Sequence, residues 1–334
     1  MRILICPDKF KGSATAAEVC SAISDGLAIA GVERQEIRSL PLADGGDGTL
    51  AVLGATPGAE VRIETVTGPI GDPVEAAWVL LADGIAAIEM AQASGLALVT
   101  GPLQPLTATT YGTGELIGRA REAGATRCVV GVGGSASTDG GLGALDALEW
   151  SLHGMAVQVA TDVTTKFVDA ARVFGPQKGA NQNEVAMLTE RLVTLADRYY
   201  AELGVDVRDI ERSGAAGGLA GGLAALGAEL VSGFDMVADV VGLEPALDWA
   251  EVIVTGEGRF DETSFFGKPV GEVLMRAKTR GLPVYVVCGS SDESVRVRAH
   301  GVVSIADLAP STEIAISDPM PWLRLAGQRL GAAL

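Results

Sequence analysis

Histidine and lysine are scarce in this chain, and their scarcity excludes more chemistry than any single motif admits. The 334 residues include two histidines, His153 and His300, so a histidine-built zinc site or a serine–histidine triad has almost no material. The four cysteines, Cys6, Cys20, Cys128 and Cys288, form no CxxC pair and sit in apolar contexts, which reads as reduced core thiols rather than ligands or bridges. No apolar run approaches the roughly 20 residues that cross a bilayer, and the N-terminus is strand-like rather than a charged segment before a long apolar one. Positive charge is short as well: 25 lysines and arginines face 42 acidic residues, a formal charge of −17. That balance removes the attraction on which nucleic acids and anionic membranes depend. These absences predict a cytoplasmic protein with no nucleic-acid and no membrane partner; a homodimer is left open.

What is present points to an α/β fold. A chain of 334 residues with 48% hydrophobic content exceeds one usual core and supplies enough apolar surface for two domains. Its 44 glycines follow no Gly-X-Y period, so they mark tight turns and helix–strand junctions. The opening predicts strand 2–6, loop 7–13, helix 15–30, strand 36–40 and loop 41–48. The helix rests on Thr15-Ala16-Ala17-Glu18, a capping box followed by Val19, Ile23 and Leu27 on one stripe. Strand–helix–strand units of this kind demand a mostly parallel sheet. Runs 61–66, 74–81 and 85–88, separated by turn signals, predict an antiparallel meander. Alternation resumes with helix 109–123, strand 127–132, helix 140–150 and a long helix 183–203. The last third reads as helix 244–250, strand 252–255, helix 269–279, strand 283–288, helix 292–299, strand 302–306 and a final helix 319–333. With no repeat and no linker, a second domain is expected as an insertion within the first.

Ligands in open α/β sheets sit beyond the carboxyl ends of strands, and those ends deliver PDKFKGS (7–13), LADGGDGT (42–49), GVGGSASTDGG (131–141) and TGEGRFDE (255–262). The lysines fall at Lys9, Lys11, Lys166, Lys178, Lys268 and Lys278, and four of these six, Lys9, Lys11, Lys178 and Lys268, lie in glycine- or proline-punctuated turns. Cations beside carboxylates and glycine amides are what phosphoryl transfer uses: charge neutralisation, a magnesium or proton acceptor, and positioning. The net negative charge does not forbid this. A lysine about 4 Å from a phosphate oxygen gains roughly 4 kcal/mol at an effective dielectric near 20, whereas carboxylates beyond about 8 Å are largely screened. A P-loop is excluded, because Gly267-Lys268-Pro269 lacks the hydroxyl residue. The H-R-D and D-F-G signatures are absent too. Gly131 to Ala136 fits G-x-G-x-x-A, which keeps an NAD(P)-dependent oxidoreductase acting on a small hydroxy acid as a rival reading.

Taken together, PDKFKGS (7–13), ADGGDGT (43–49), TTYGTGELI (109–117), GGSASTDGG (133–141), FGPQKGA (174–180), GAAGGL (214–219) and TGEGRFDETS (255–264) resemble the type-1 glycerate kinase family over nearly the whole chain. The resemblance implies ATP- and magnesium-dependent phosphorylation of D-glycerate, with 2-phosphoglycerate favoured over 3-phosphoglycerate. It also implies a flavodoxin-like domain from both chain ends, expected at 1–60 and 245–334, and an inserted α/β domain at 61–244 with a restriction-endonuclease-like core; segment 107–150 could belong to either. Two departures stand out. The connection between Trp150 and Val157 is shorter than in the family, and Asp162-Val163-Thr164 is followed by Thr165-Lys166 instead of Asn-Pro. A non-catalytic sugar-acid sensor that lost activity through these changes is the third reading.

For a kinase acting on glycerate, Lys9 and Lys11, with the loop Gly45, Gly46 and Asp47, are expected to hold anionic groups. Asp44 or Asp162 would take the hydroxyl proton, with Asp8 a third candidate. Lys178, Arg259 and Lys268 are the expected phosphate clamps. Gly133, Gly134, Ser135, Ser137, Gly217, Gly218 and Gly256 are put forward for the nucleotide, and Asp139, Glu257 and Asp261 for magnesium.

Overall fold

The computed structural model describes residues 1–46 and 48–334. Among them run eleven strands: β1 (Ile3–Ile5), β2 (Ile37–Ser39), β3 (Glu60–Thr67), β4 (Pro73–Leu80), β5 (Ile85–Glu89), β6 (Arg127–Gly131), β7 (Ala156–Ala160), β8 (Glu229–Val231), β9 (Val252–Phe260), β10 (Val284–Ser291) and β11 (Gly301–Ser304). The chain divides into two compact units, Met1–Asp44 with Val237–Leu334, and Gly45–Met236. Segments 45–60 and 107–150 therefore lie in the second unit, and 237–244 in the first. No helix among the described residues is long and apolar enough to cross a membrane.

The first unit is built on an all-parallel sheet ordered β11-β10-β9-β1-β2. Counted within the unit this is 2-1-3-4-5 read from the β2 edge, the flavodoxin-type doubly wound order, whose switch point lies between its first and third strands, here β1 and β9. β1 is wholly buried, as a parallel strand covered on both faces must be. The predicted capping box closes the start of helix Ala16–Ile29, with Thr15 and Glu18 bonding reciprocally. This helix lies against the C-terminal helix Met320–Ala333 at two glycines. A Cβ on Gly26 would stand 2.1 Å from the Arg324 carbonyl oxygen, and one on Gly327 would stand 2.4 Å from that of Ile23. Only glycine lets the two backbones approach so closely. Val19, Ile23 and Leu27 join Leu323, Ala326 and Leu330 in the unit's core.

The second unit carries a six-stranded sheet, β3-β4-β5-β6-β7-β8. The meander β3-β4-β5 is antiparallel, and β5 through β8 are parallel. Trp78 of β4 is fully buried in its core. Helix Gln182–Leu203 starts at an Asn181–Glu184 capping box and buries Leu188, Leu192, Leu195, Ala196 and Tyr199. Each such large apolar side chain contributes about 1.5–3 kcal/mol on burial.

Several elements end where chemistry other than periodicity intervenes. The helix expected at 109–123 starts at Tyr111, because Thr110 is engaged with Asp139. The helix expected at 140–150 spans only Leu142–Ala147, since Glu149 and Trp150 take left-handed φ values of 52° and 57°. Helix 292–299 shrinks to Glu293–Arg296. The final helix is preceded by a separate one at Thr312–Ser317. Strand 252–255 extends to Phe260, because β10 pairs with it as far as Ser291. Pattern reading gave no element to Leu219–Ala225 or to β8.

Candidate active site

At the switch point of the first sheet, β1 hands its chain to a charged loop. Beyond the strand, the ladder continues: the Cys6 amide donates to the Val254 carbonyl and the Asp8 amide to that of Gly256, both at 2.8 Å. This carries Asp8 alongside the carboxyl end of β9. The Leu42 amide, donating to the Pro7 carbonyl at 2.9 Å, brings in the loop after β2 and with it Asp44. Lys9 Nζ then stands 3.8 Å from Asp8 Oδ1 and 4.0 Å from Asp44 Oδ1. Two carboxylates thus share one ammonium. On β9, Glu257 Oε2 lies 3.5 Å from Lys268 Nζ, which also donates to Thr263 Oγ1 at 3.0 Å. Lys268 is the residue preceding helix Pro269–Thr279.

The electrostatics of this cluster are unbalanced toward protonation. Burial, opposed by Lys9 and reinforced by Asp44, pushes Asp8 up to about 6. Burial also pushes Glu257 up to about 7, against the pull of the Ser264 hydroxyl and Lys268. Glu257 Oε1 is buried with no hydrogen-bond partner, a condition that costs roughly 1–3 kcal/mol or more for an acceptor of this kind. Carboxyl groups held near neutral pH in one place are a hallmark of sites that move protons.

Beside the cluster, a cavity of about 310 Å³ is lined by Lys11, Arg259, Ser13, Ser290 and Thr312 around an apolar floor that includes Phe10 and Ile305. Arg259 lies two residues beyond Glu257 on β9 and pairs with Asp261 at 2.9 Å and Asp292 at 3.4 Å. Asp261 in turn accepts the Thr263 amide at 2.8 Å and its hydroxyl at 2.6 Å. It is a turn cap and an arginine partner. Gly256, put forward for the nucleotide, is interior to β9: a Cβ there would meet the Val287 carbonyl oxygen at 2.1 Å. Its small size serves strand packing.

The second unit contributes a cavity of about 540 Å³ lined by glycine backbone at Gly45, Gly46, Gly133 and Gly134, by Leu96 and Ala97, and by Glu89, whose Oε1 accepts the Leu50 amide at 2.9 Å. Bare peptide at these positions suits close approach of a flat or anionic ligand. Ser135 bridges to Gly95. Asp47 lies outside the described residues. Asp162 is exposed and its Oδ1 accepts the Gly233 amide at 3.0 Å, bracing a loop.

The 137–143 and 214–219 motifs form a buried junction rather than an open loop. Asp139 accepts four donors: the Thr110 amide and hydroxyl at 2.8 Å each, the Gly141 amide at 3.1 Å and the Gly143 amide at 3.3 Å. With four donors in place, three of them on Oδ2, this carboxylate is committed to holding backbone. Gly217 and Gly218 pack on this loop, and a Cβ on Gly217 would lie 2.2 Å from the Ser137 carbonyl oxygen. Lys178 is 2% exposed and donates to that same carbonyl, so it stands inside the unit instead of facing a phosphate. Burial pulls its ammonium down to about 8, against the attraction of Asp139. Of the four turn lysines, the first unit gathers Lys9 and Lys268 around its carboxylates and Lys11 in its cavity; Lys178 has no such setting. The sequence reading missed Thr110 and Ser264, although TTYGTGELI and TGEGRFDETS contain them.

No group of three or more histidine, cysteine or acidic residues placed to hold a metal occurs among the described residues. Asp139 is engaged by its four donors, Asp261 by Arg259 and Thr263, and Glu257 stands beside Lys268.

Against this geometry, the sequence model of the glycerate kinase family matches residues 3–155 and 149–334. The two stretches meet at the short connection before β7. The chain is 40% identical to the glycerate 2-kinase of Escherichia coli K12, over 93% of its own length and 91% of the relative's. It is 38% identical to the glycerate kinase of Bacillus subtilis 168, with 93% and 91% covered. A solved chain from Salmonella typhimurium LT2 that carries the glycerate kinase 2 name superposes with a TM-score of 0.85 at 33% identity, covering 100% of this chain and 98% of that one. The chain belongs to the glycerate kinase family and is a phosphotransferase.

Proposed function

We propose that the protein transfers the terminal phosphoryl group of ATP to D-glycerate and yields 2-phosphoglycerate. The observation that carries the site assignment is the pair Asp8 and Asp44 sharing Lys9 at the switch point of the first sheet. Glycerate needs a cation for its carboxylate and a base for a hydroxyl. In this reading Lys11 and Arg259 bind the carboxylate, and Asp8, held near 6, accepts the hydroxyl proton. A base titrating close to working pH combines the ionised form with a useful driving force. Lys9 and Lys268 stabilise charge on the transferring group, which dominates a loose transition state.

The glycine-walled cavity of the second unit is the assigned nucleotide site. Magnesium fits as a passenger of the triphosphate, since it keeps several waters and needs only one or two carboxylates. Asp44 is the residue that would hold it, and when bound it neutralises phosphate charge. The regiochemistry rests on the name of the Escherichia coli relative, glycerate 2-kinase.

Release of ADP that depends on D-glycerate, followed by phosphorus NMR of the product, tests the reading. A resonance coupled to the C2 proton is expected. Coupling to the C3 methylene protons would reassign the product, and ADP release indifferent to glycerate would remove the substrate.

A further inference from the structure

Lys178 is a buried cation that the proposed chemistry does not use. It closes a one-turn 3-10 helix, Pro176–Lys178, ended by Gly179 at φ 91°, and its ammonium reaches the Ser137 carbonyl 41 residues away in sequence. The segment on which it acts is held elsewhere too. The Leu96 amide donates to the Gly134 carbonyl at 2.8 Å, and the Ala136 amide donates to that of Ser94 at 3.0 Å. Asp139 fixes the far end through its four donors. Between these anchors Ser137 has no side-chain support, because its Oγ is buried without a partner, as is Thr138 Oγ1. Gly217 presses on the Ser137 carbonyl from another direction and admits no Cβ. The lysine is therefore the polar tether at the midpoint of a loop whose first residues, Gly133 and Gly134, wall the 540 Å³ cavity.

We propose that Lys178 is a positioning residue: by locking the Ser137 carbonyl it sets the backbone of Gly133 to Ser135, so nucleotide affinity depends on a lysine that does not touch the nucleotide. The inference rests on the assignment of that cavity to the nucleotide. A hydrophobic side chain in its place would leave the carbonyl unsatisfied and Asp139 without its nearby cation, and the loop would settle into another arrangement. Losing one backbone hydrogen bond to a charged ligand lowers affinity by roughly ten- to a hundredfold.

The test compares wild type, Lys178→Met and Lys178→Arg in three measurements: affinity for a fluorescent ATP analogue, the kinetic constants for ATP and glycerate, and thermal stability. In Lys178→Met, analogue affinity and KM for ATP are expected to worsen by about ten- to a hundredfold, with kcat at saturating ATP and KM for glycerate within a few-fold of wild type. Lys178→Arg, which keeps a buried donor, recovers part of the loss. Lowered stability with unchanged nucleotide affinity in Lys178→Met would overturn the inference and leave a structural lysine, as would a loss confined to glycerate. Should Lys178→Met not fold, Lys178→Ala, which leaves room for water beside the Ser137 carbonyl, decides: wild-type nucleotide affinity in a variant of lowered stability overturns the tether, and a selective rise in KM for ATP supports it. A wild type that binds no analogue refutes the cavity assignment itself, a result distinct from these.

Discussion

The carboxyl edge of the first sheet and the buried junction of the second unit are both made of aspartate, lysine and glycine, yet they hold charge in opposite ways. At the edge, Asp8 and Asp44 divide one lysine, and Glu257 keeps an oxygen with no partner. At the junction, Asp139 is bonded by four donors and Lys178 by a carbonyl. A carboxyl that burial holds near neutral pH, as at Asp8 and Glu257, can exchange protons, whereas Asp139 with its four donors holds backbone in place. Residue type alone does not separate the two; the surroundings do.

The sharpest way to break the comparison is Asp8→Asn. It should lower glycerate-dependent ADP release by about 10²- to 10⁴-fold, while raising stability at neutral pH by about 1–3 kcal/mol, because a charge that burial disfavours is removed. Steady-state rates and urea unfolding of the same preparation check both halves, and a variant that loses stability would place Asp8 among the structural carboxylates. The converse holds for Asp139→Ala. Removing a saturated buried carboxylate should cost about 3–5 kcal/mol in unfolding, read by the urea midpoint. A fully stable Asp139→Ala would erase the distinction drawn here.

A smaller effect separates the regions by pH. Glu257 is raised in the folded state to about 7 from an ordinary 4.5. Between those values the folded protein retains a proton that the unfolded chain has released, so this group's contribution to stability falls as pH rises from about 4.5 to 7 and is flat above. Asp8, raised to about 6 from 3.8, acts in the same direction over the lower part of that window. Glu257→Gln should flatten the curve between pH 5 and 7, by up to about 3 kcal/mol across the window, as measured by unfolding in a buffer series. An unaltered slope would mean that Glu257 ionises normally.

Much of this was legible in the sequence where the signal is local. The capping box at Thr15 and Glu18, the apolar run of β1 and the charged phrase after it need only neighbouring residues. The set Asp8, Lys9 and Asp44 could be nominated for the same reason, since strand ends deliver ligands in parallel sheets. What escaped depends on distance along the chain. Asp139 reads as a metal ligand until Thr110, 29 residues earlier, is seen to occupy it. Lys178 reads as a phosphate clamp until the Ser137 carbonyl, 41 residues away, is found to accept its ammonium. Gly256 resembles a phosphate-loop glycine, but the neighbouring strand at Val287 is what requires it. Helix Leu142–Ala147 ends early at two non-glycine residues in left-handed conformation, which carry no composition signal.

The close glycine contact between helices Ala16–Ile29 and Met320–Ala333 has a consequence for biosynthesis. Residues 1–44 are made before 45–236, but β1 finds its neighbour β9 only after residue 252 has been made, and helix Ala16–Ile29 finds its partner only once Met320–Ala333 follows. The intervening 45–236 can complete its own core meanwhile. β1 must therefore wait, paired only with β2, until the residues of β9 have been made.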